Sequence, residues 1–358
     1  MFSHTSIVIT GGAGFVGSSI AVSLLQRYCG LSITCVDNLK RRGSELNLPR
    51  LKHYGARFVH ADIRVPEDFD QLGPCELVID CSAEPSVLAG YSSSPLYIIN
   101  TNLSGTTHCL DYARRHSADF TFLSTSRVYP IDPLNQLTFL ESASRFEPAP
   151  IQQCSGISTE GVAEDFPLLP GNRSLYGATK LASELLIAEY VAAFGMRAVV
   201  NRCGILTGPW QMGKVDQGVV VLWLARHLFG QPLSYIGFGG QGKQVRDILH
   251  VEDLVDLLCV QLGSIDKHSA AVYNVGGGRH NALSLCELSS YARELAGATV
   301  PIGSDGQTRA GDLKYYVSDN RRVQQATGWS PTRSIETILE QTWQWLVQNR
   351  TTLEQILA

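Results

Sequence analysis

Short runs of β-branched and aliphatic residues recur through the first third of the chain. Stretches whose apolar residues repeat at helical spacing separate them. The runs Ile7-Val8-Ile9-Thr10, Ile33-Thr34-Cys35-Val36, Arg57-Phe58-Val59-His60, Leu77-Val78-Ile79-Asp80 and Phe120-Thr121-Phe122-Leu123 predict five strands. Phe15 to Tyr28 and Pro95 to His116 predict helices. Strands alternating with helices imply crossover connections and a parallel sheet. Residues 130 to 172 break the pattern: Pro130, Pro133, Pro148, Pro150, Pro167 and Pro170 mark a long irregular excursion. A helix over Ser174–Phe194 and a strand over Arg197–Arg202 follow. Beyond them strict alternation ends. Most of Gly204–Gln244 and Asn281–Pro331 is expected in a smaller lobe, with Ile248–Gly263 returning to the main unit. The expected division is 1–203 and 204–358, with 245–275 returning to the first part.

Composition narrows this picture. The 358 residues are 44% hydrophobic and 17% charged, enough apolar material for a large α/β domain with an attached lobe. A net charge of -4 offers no concentrated basic surface, so neither nucleic acid nor an anionic membrane is an expected partner. The densest basic run, Lys40-Arg41-Arg42, is short and reads as a solvated loop or as part of an adjoining ligand site. Nine cysteines are scattered without a C-x-x-C pair, which fits small buried side chains in a reducing compartment and excludes a metal framework. The polar Met1–Ser6 is unlike a signal peptide, and no apolar run reaches the roughly 18 residues of a membrane span, so the expected location is cytoplasmic.

Two motifs carry chemistry. Gly11-Gly12-Ala13-Gly14-Phe15-Val16-Gly17 follows the first strand and opens the first helix. Gly11, Gly14 and Gly17 allow a tight turn and close approach of backbone to a pyrophosphate, and Phe15 and Val16 begin the helix whose N-terminus meets it. Asp37 ends the second strand 20 residues beyond Gly17. An acid there binds ribose hydroxyls and repels a 2′-phosphate, which favours NAD over NADP, although Lys40 and Arg41 follow closely. Further on, Tyr176 and Lys180 stand at i and i+4, on one face of a helix. A neighbouring ammonium and a positive nicotinamide would both favour the phenolate, making Tyr176 a base. Leu123-Ser124-Thr125-Ser126-Arg127-Val128-Tyr129 places hydroxyls at the carboxyl end of the fifth strand, where ligands of open α/β sheets bind.

These elements, with Asp37-Asn38-Leu39, Asp62-Ile63 and Asn102-Leu103-Ser104-Gly105-Thr106 in order, resemble the extended short-chain dehydrogenases/reductases that act as nucleotide-sugar epimerases and dehydratases. The resemblance covers nearly the whole chain. It implies a Rossmann-type doubly wound parallel sheet with a smaller C-terminal substrate-binding lobe, bound NAD and a homodimer. It implies Thr125, Tyr176 and Lys180 as the catalytic triad. Asn38, Lys40, Arg41, Asp62, Ile63, Ala83 and Asn102 join the glycine loop and Asp37 around the cofactor, with Asp62 and Ile63 framing the adenine. Gly242–Asp253 resembles the segment whose arginine binds the substrate diphosphate, here Arg246. Arg309-Ala310-Gly311-Asp312 resembles a second segment, with Arg309 on phosphate and Asp312 on ribose. Glu84, Ser126, Arg127, Arg202 and Gln211 complete the expected substrate contacts.

The dehydratases of this family carry an Asp-Glu pair after the catalytic threonine. Ser126 and Arg127 stand there instead and cannot perform that acid–base work in the ordinary way. The CDP-paratose (CDP-tyvelose) 2-epimerases share Phe58–Arg64, a basic residue two before Tyr129, Asp216-Gln217-Gly218 and the Gly242–His250 segment. That resemblance implies oxidation of C2 of a CDP-deoxyhexose, turnover of the keto sugar and reduction on its other face. C4 epimerisation of a UDP-sugar, or another oxidoreduction or dehydration on the same scaffold, is the alternative. A non-catalytic NAD sensor is more remote, since it needs no Tyr–Lys pair. Trp210–Lys214 reads as a loop over the sugar pocket or as a packed element of the lobe.

Overall fold

The computed structural model describes residues 4–213 and 217–357. Lys214 and Asp216, singled out above, lie outside the described residues. The elements used below are β1 (Ser6–Thr10), α1 (Phe15–Arg27), β2 (Ser32–Asp37), β3 (Arg57–His60), β4 (Leu77–Asp80), α2 (Gly105–Arg115), β5 (Asp119–Thr125), α3 (Leu175–Phe194), β6 (Ala198–Cys203), β7 (Ile205–Thr207), α4 (Val219–Leu228), β8 (Val245–His250), α5 (Val251–Leu262), β9 (Ala271–Val275), β10 (Ala282–Ser284), α6 (Leu285–Ala296), β11 (Tyr315–Tyr316) and α7 (Ile335–Gln348).

Alternation along the strands builds two cores. Ile7 and Ile9 face one layer with Ile20, Leu24, Leu254 and Leu257, from α1 and α5. Val8, between them, faces the other layer with Leu110, Tyr112 and Ile187, from α2 and α3. A strand covered on both faces reads as a continuous apolar run, as β1 and β4 do. Seven parallel strands form this sheet in the order β9-β6-β5-β4-β1-β2-β3. The order reverses direction between β1 and β4, so the crevice for a ligand opens at their carboxyl ends.

A four-stranded sheet, β7-β8-β10 with β11 also pairing β8, forms the centre of the second unit. Its helices α4, α6 and α7 close a third core around Val220, Trp223, Leu288, Ile338 and Leu346. The 245–275 stretch divides between the two units. β8 belongs to the smaller sheet, α5 packs on α1, and β9 takes the outer edge of β6. The proline-rich excursion is ordered. Phe139–Glu141 pairs with Phe146–Pro148, and the Val162 N–H donates to the Val317 carbonyl at 2.8 Å. Val128, Leu134, Phe166 and Tyr316 pack together beneath it.

The helix expected over Pro95–His116 starts at Leu96 and passes through a π-helical turn at Asn100–Ser104 before α2. The wide turn coincides with Asn102, whose amide is drawn to the Glu84 backbone. Among the described residues no helix is long and apolar enough to cross a membrane.

Asp253, at 1% side-chain exposure on α5, ties down the C-terminal third. It accepts from the Thr332 N–H and hydroxyl and from Arg333 Nη1, at 3.2, 2.8 and 2.6 Å. Asp253→Ala strands the two Thr332 donors and leaves Arg333 with Asp256 alone, at 3.1 Å, and is expected to cost about 1–3 kcal/mol. A lower urea midpoint with unchanged slope will show it.

Candidate functional site

The site begins where β1 ends. Gly11 has φ +62°, and a Cβ there would lie 2.9 Å from the Cys81 carbonyl carbon at the end of β4. Gly17 is tighter still, since its Cβ would lie 2.4 Å from the Gly11 carbonyl oxygen. Side-chain-free backbone therefore lets α1 start directly over the sheet edge, with no acidic residue in its first turn. Its free N–H groups and partial positive charge face a cleft of about 730 Å³. Asn47 lines the same cleft. Its amide donates to the Ala13 carbonyl at 2.9 Å, while its buried Oδ1 has no partner. A turn of this shape, with that acceptor beside it, fits a dinucleotide.

Asp37 lines the cleft at the tip of β2. Its carboxylate accepts the Leu39 N–H at 2.8 Å and the Ala13 N–H at 3.2 Å. Burial pushes its pKa up and those two N–H groups oppose the rise. Asn38 donates to Asp62 at 3.0 Å, and Arg64 pairs with Asp62 at 2.6 Å, holding that carboxyl well below its usual range. Lys40 Nζ sits 3.1 Å over the Tyr97 ring. Arg41 is no solvated loop residue: it donates to the Met212 carbonyl at 2.6 Å and to Gln217. Arg42 donates to the Gln355 carbonyl at 2.5 Å. The basic run therefore laces the β2 loop to the opposite wall.

Thr125 and Tyr176 both line the cleft, and the threonine hydroxyl is close enough to the phenol to favour its ionised form. Ser174 caps α3 by accepting the Gly177 N–H, which fixes where the helix begins. Gly177 is required by its neighbour, because a Cβ there would lie 2.0 Å from the Arg127 carbonyl oxygen. Lys180 is buried one turn on, with Nζ 3.7 Å from the Phe122 ring centre. Burial lowers its pKa, and the carboxylate of Asp80 is the strongest influence keeping it charged. Burial pushes the Tyr176 phenol up to about 12, against the Thr125 hydroxyl and the charge of Arg127. In the protein alone the base is therefore not yet poised, and a positive nicotinamide would supply a further downward influence.

The remaining expected residues divide by position. Gly14, Phe15, Val16, Ile63, Ala83, Glu84 and Gln211 line the cleft. Asn102 does not reach it. Fully buried, it accepts the Glu84 N–H at 2.7 Å and donates to the Glu84 carbonyl at 3.1 Å, so it shapes the wall from behind. Arg202 is also withdrawn, committed to Glu184 at 2.7 Å with both side chains buried. Ser126 and Arg127 form the turn after β5, and Arg127 Nη1 donates to the Gly311 carbonyl at 2.7 Å rather than pairing with Glu84. Arg246 meets Asp312 at 3.3 Å. Burial and the charge of Arg127 push Arg246 down to about 10. Two half-hidden guanidiniums around one carboxylate leave a surplus positive charge suited to an anion. Arg309 stands on the same loop, partly exposed, its carbonyl accepting the Asp312 N–H at 3.2 Å. Among the described residues no cluster could hold a metal ion.

Sequence reasoning missed Asn47, Thr101, Cys203 and Ile356, all of which line the cleft. Cys203 was within reach, because it ends a parallel strand. Ile356 carries no local signal.

Residues 7–276 match the NAD dependent epimerase/dehydratase family. The chain is 29% identical to a CDP-paratose 2-epimerase of Salmonella typhi over 95% of its own length and 98% of the relative's. It is 30% identical to a dTDP-glucose 4,6-dehydratase of Actinoplanes sp., over 96% of this chain and 98% of that one. The UDP-glucose 4-epimerase of Thermus thermophilus, solved in complex with NAD, superposes with a TM-score of 0.76 at 27% identity, over 96% of this chain and 99% of that one.

Gly177→Ala is expected to push α3 away from the Thr125–Arg127 turn, at about 1–3 kcal/mol. A thermal melt will register the loss, and turnover should fall at least tenfold while bound NAD remains.

Proposed function

The chain belongs to the NAD dependent epimerase/dehydratase family, and we propose that within it this protein inverts C2 of a CDP-linked deoxyhexose. The observation that carries the reading is that Thr125 and Tyr176 line one cleft, with Ser126 and Arg127 after the threonine in place of acids. The likeness to the CDP-paratose 2-epimerase over almost the full length of both chains supports the choice of sugar and carbon.

The residues fit a bound NAD. Gly11, Gly14 and Gly17 would admit the pyrophosphate, Asp37 would hold the adenosine ribose, and Asp62 and Ile63 would flank the base. Bound NAD would supply the hydride acceptor and, in the return step, the donor. Tyr176 would take the proton of the sugar hydroxyl as its carbon is oxidised and return it on re-reduction, with Thr125 holding the reacting oxygen. Lys180, one turn on along α3, would favour the phenolate when it carries its proton. Arg246, Arg309 and Asp312, in the proposed substrate lobe of residues 204–358, would hold the nucleotide diphosphate end. No group after Thr125 can expel water by ordinary acid–base chemistry.

C4 epimerisation of a UDP-sugar is the second reading, favoured by the superposition on the Thermus thermophilus enzyme. A homodimer is part of the proposal. Leu96, Leu185 and Phe194, on neighbouring helical segments, are 62%, 65% and 56% exposed and suit a second copy. Nine free thiols fit a cytoplasmic location.

Purified protein incubated in D2O with CDP-paratose and no added cofactor should form the C2 epimer with hydrogen retained at C2, as read by proton NMR. Deuterium in the ring or loss of water would overturn the reading. Tyr176→Phe should lower turnover about 10²–10⁴-fold with NAD still bound.

A phenol pushed up is protonated at neutral pH, so the basic fraction grows about tenfold per pH unit below its pKa. kcat/KM is therefore expected to climb from pH 6 to pH 9. A flat profile would show that proton removal from Tyr176 does not limit the reaction.

A further inference from the structure

Directly behind the Thr125–Tyr176 pair lies a buried ion pair that the proposed chemistry does not use. Glu184 sits on α3 one turn beyond Lys180 and two beyond Tyr176. Arg202 sits on β6. Their side chains are 5% and 6% exposed. Arg202 Nε reaches both carboxylate oxygens at 3.1 Å, and Nη2 reaches Oε2 at 2.7 Å. Glu184 Oε1 also accepts the Ser124 hydroxyl at 2.5 Å. In the sheet Arg202 lies directly opposite Ser124, and Cys203 opposite Thr125. The fork therefore joins three things: the helix that carries Tyr176 and Lys180, the end of the strand that carries Thr125, and the next strand.

Its reach extends further. Arg202 Nη1 donates to the Tyr129 hydroxyl at 3.1 Å, and that hydroxyl donates to Asn274 Oδ1 on β9 at 2.8 Å. Burial works against the Arg202 charge, and the hydrogen bonds to Glu184 more than offset it, holding the guanidinium above its usual range.

An apolar pair would hold a helix on a sheet at least as firmly, because two buried charges must first be stripped of water. Apolar contact is non-directional, however. Ile187, the apolar side chain that α3 buries in this layer, tolerates sliding and rotation. The Ser183 hydroxyl donates to the Asn102 carbonyl, not to β5. Gly177 sets how closely α3 approaches the turn after β5 but leaves its rotation free. A bidentate guanidinium–carboxylate fork fixes both. We infer that Glu184 and Arg202 are positioning residues: their fork sets the rotation and height of α3 against β5 and so places Tyr176 on Thr125. The inference rests on the reading of Tyr176 and Thr125 as the reacting pair.

The test is the double variant Glu184→Leu/Arg202→Met, which leaves no unpaired buried charge, purified with its NAD. Its unfolding midpoint should match or exceed that of the parent protein. Its crystal structure should show Tyr176 displaced relative to Thr125 by at least about 1 Å from its position in the parent protein. With CDP-paratose, kcat should fall about 100-fold and KM change less than threefold. An unmoved Tyr176, or kcat within threefold of the parent, overturns the inference. If the double variant does not fold, Ser124→Ala cuts the tie between fork and strand. It should lower kcat about fivefold at constant KM, and an unchanged kcat overturns the inference equally. The structural measurement needs no substrate. Failure of the parent protein to convert CDP-paratose would therefore count against the proposed function alone.

Discussion

The site depends on backbone passing against backbone with no side chain between. Three such places matter along the carboxyl edge of the large sheet. Gly11 lies under the end of β4, Gly17 under Gly11, and Gly177 against the Arg127 carbonyl, with notional Cβ separations of 2.9, 2.4 and 2.0 Å. The first two bring α1 down onto the cleft. The third brings α3 up to the turn after β5. A methyl group at any of them would move a helix that carries part of the site, because packed interiors have no slack to absorb it.

Charge is arranged around that edge with comparable economy. Asp80, buried at the end of β4, accepts from Thr10 at 2.7 Å and from Thr106 at 2.9 Å, and it is the nearest strong influence on Lys180. Glu184 and Arg202 neutralise each other one layer further back. Arg246 pairs with Asp312 while Arg127 donates to the Gly311 carbonyl beside it, which leaves positive charge in excess. Buried charge is thus satisfied where it serves geometry and left over where an anion is expected.

The cofactor half was legible because its determinants are local. The glycine spacing, Asp37 and the strand–turn–helix order lie within a few dozen residues, and period-2 and period-3.6 patterns identify the elements that carry them. The Tyr176–Lys180 spacing was legible for the same reason. Asn102 and Arg202 were placed near ligand by resemblance, yet the fold turns both inward. Each finds its partner in another element 18 residues earlier in the chain, Glu84 in the loop after β4 in one case and Glu184 on α3 in the other. The edge strand β9 escaped notice because it is five residues long and lies beyond the point where alternation stops.

By itself the sequence determined the parallel sheet, the positions of its first five strands, the dinucleotide turn and the Tyr176–Lys180 spacing. Periodicity and spacing act over one or two elements, and each residue records its own part. The tertiary structure alone decided which side chains reach the cleft. It folded Arg41 across to Met212 and Gln217, sent β8 to the smaller sheet, brought Ile356 to the cleft wall and turned Arg202 away from it. Those outcomes follow from packing and from the pairing of buried polar groups between segments distant in sequence, and no local pattern encodes them.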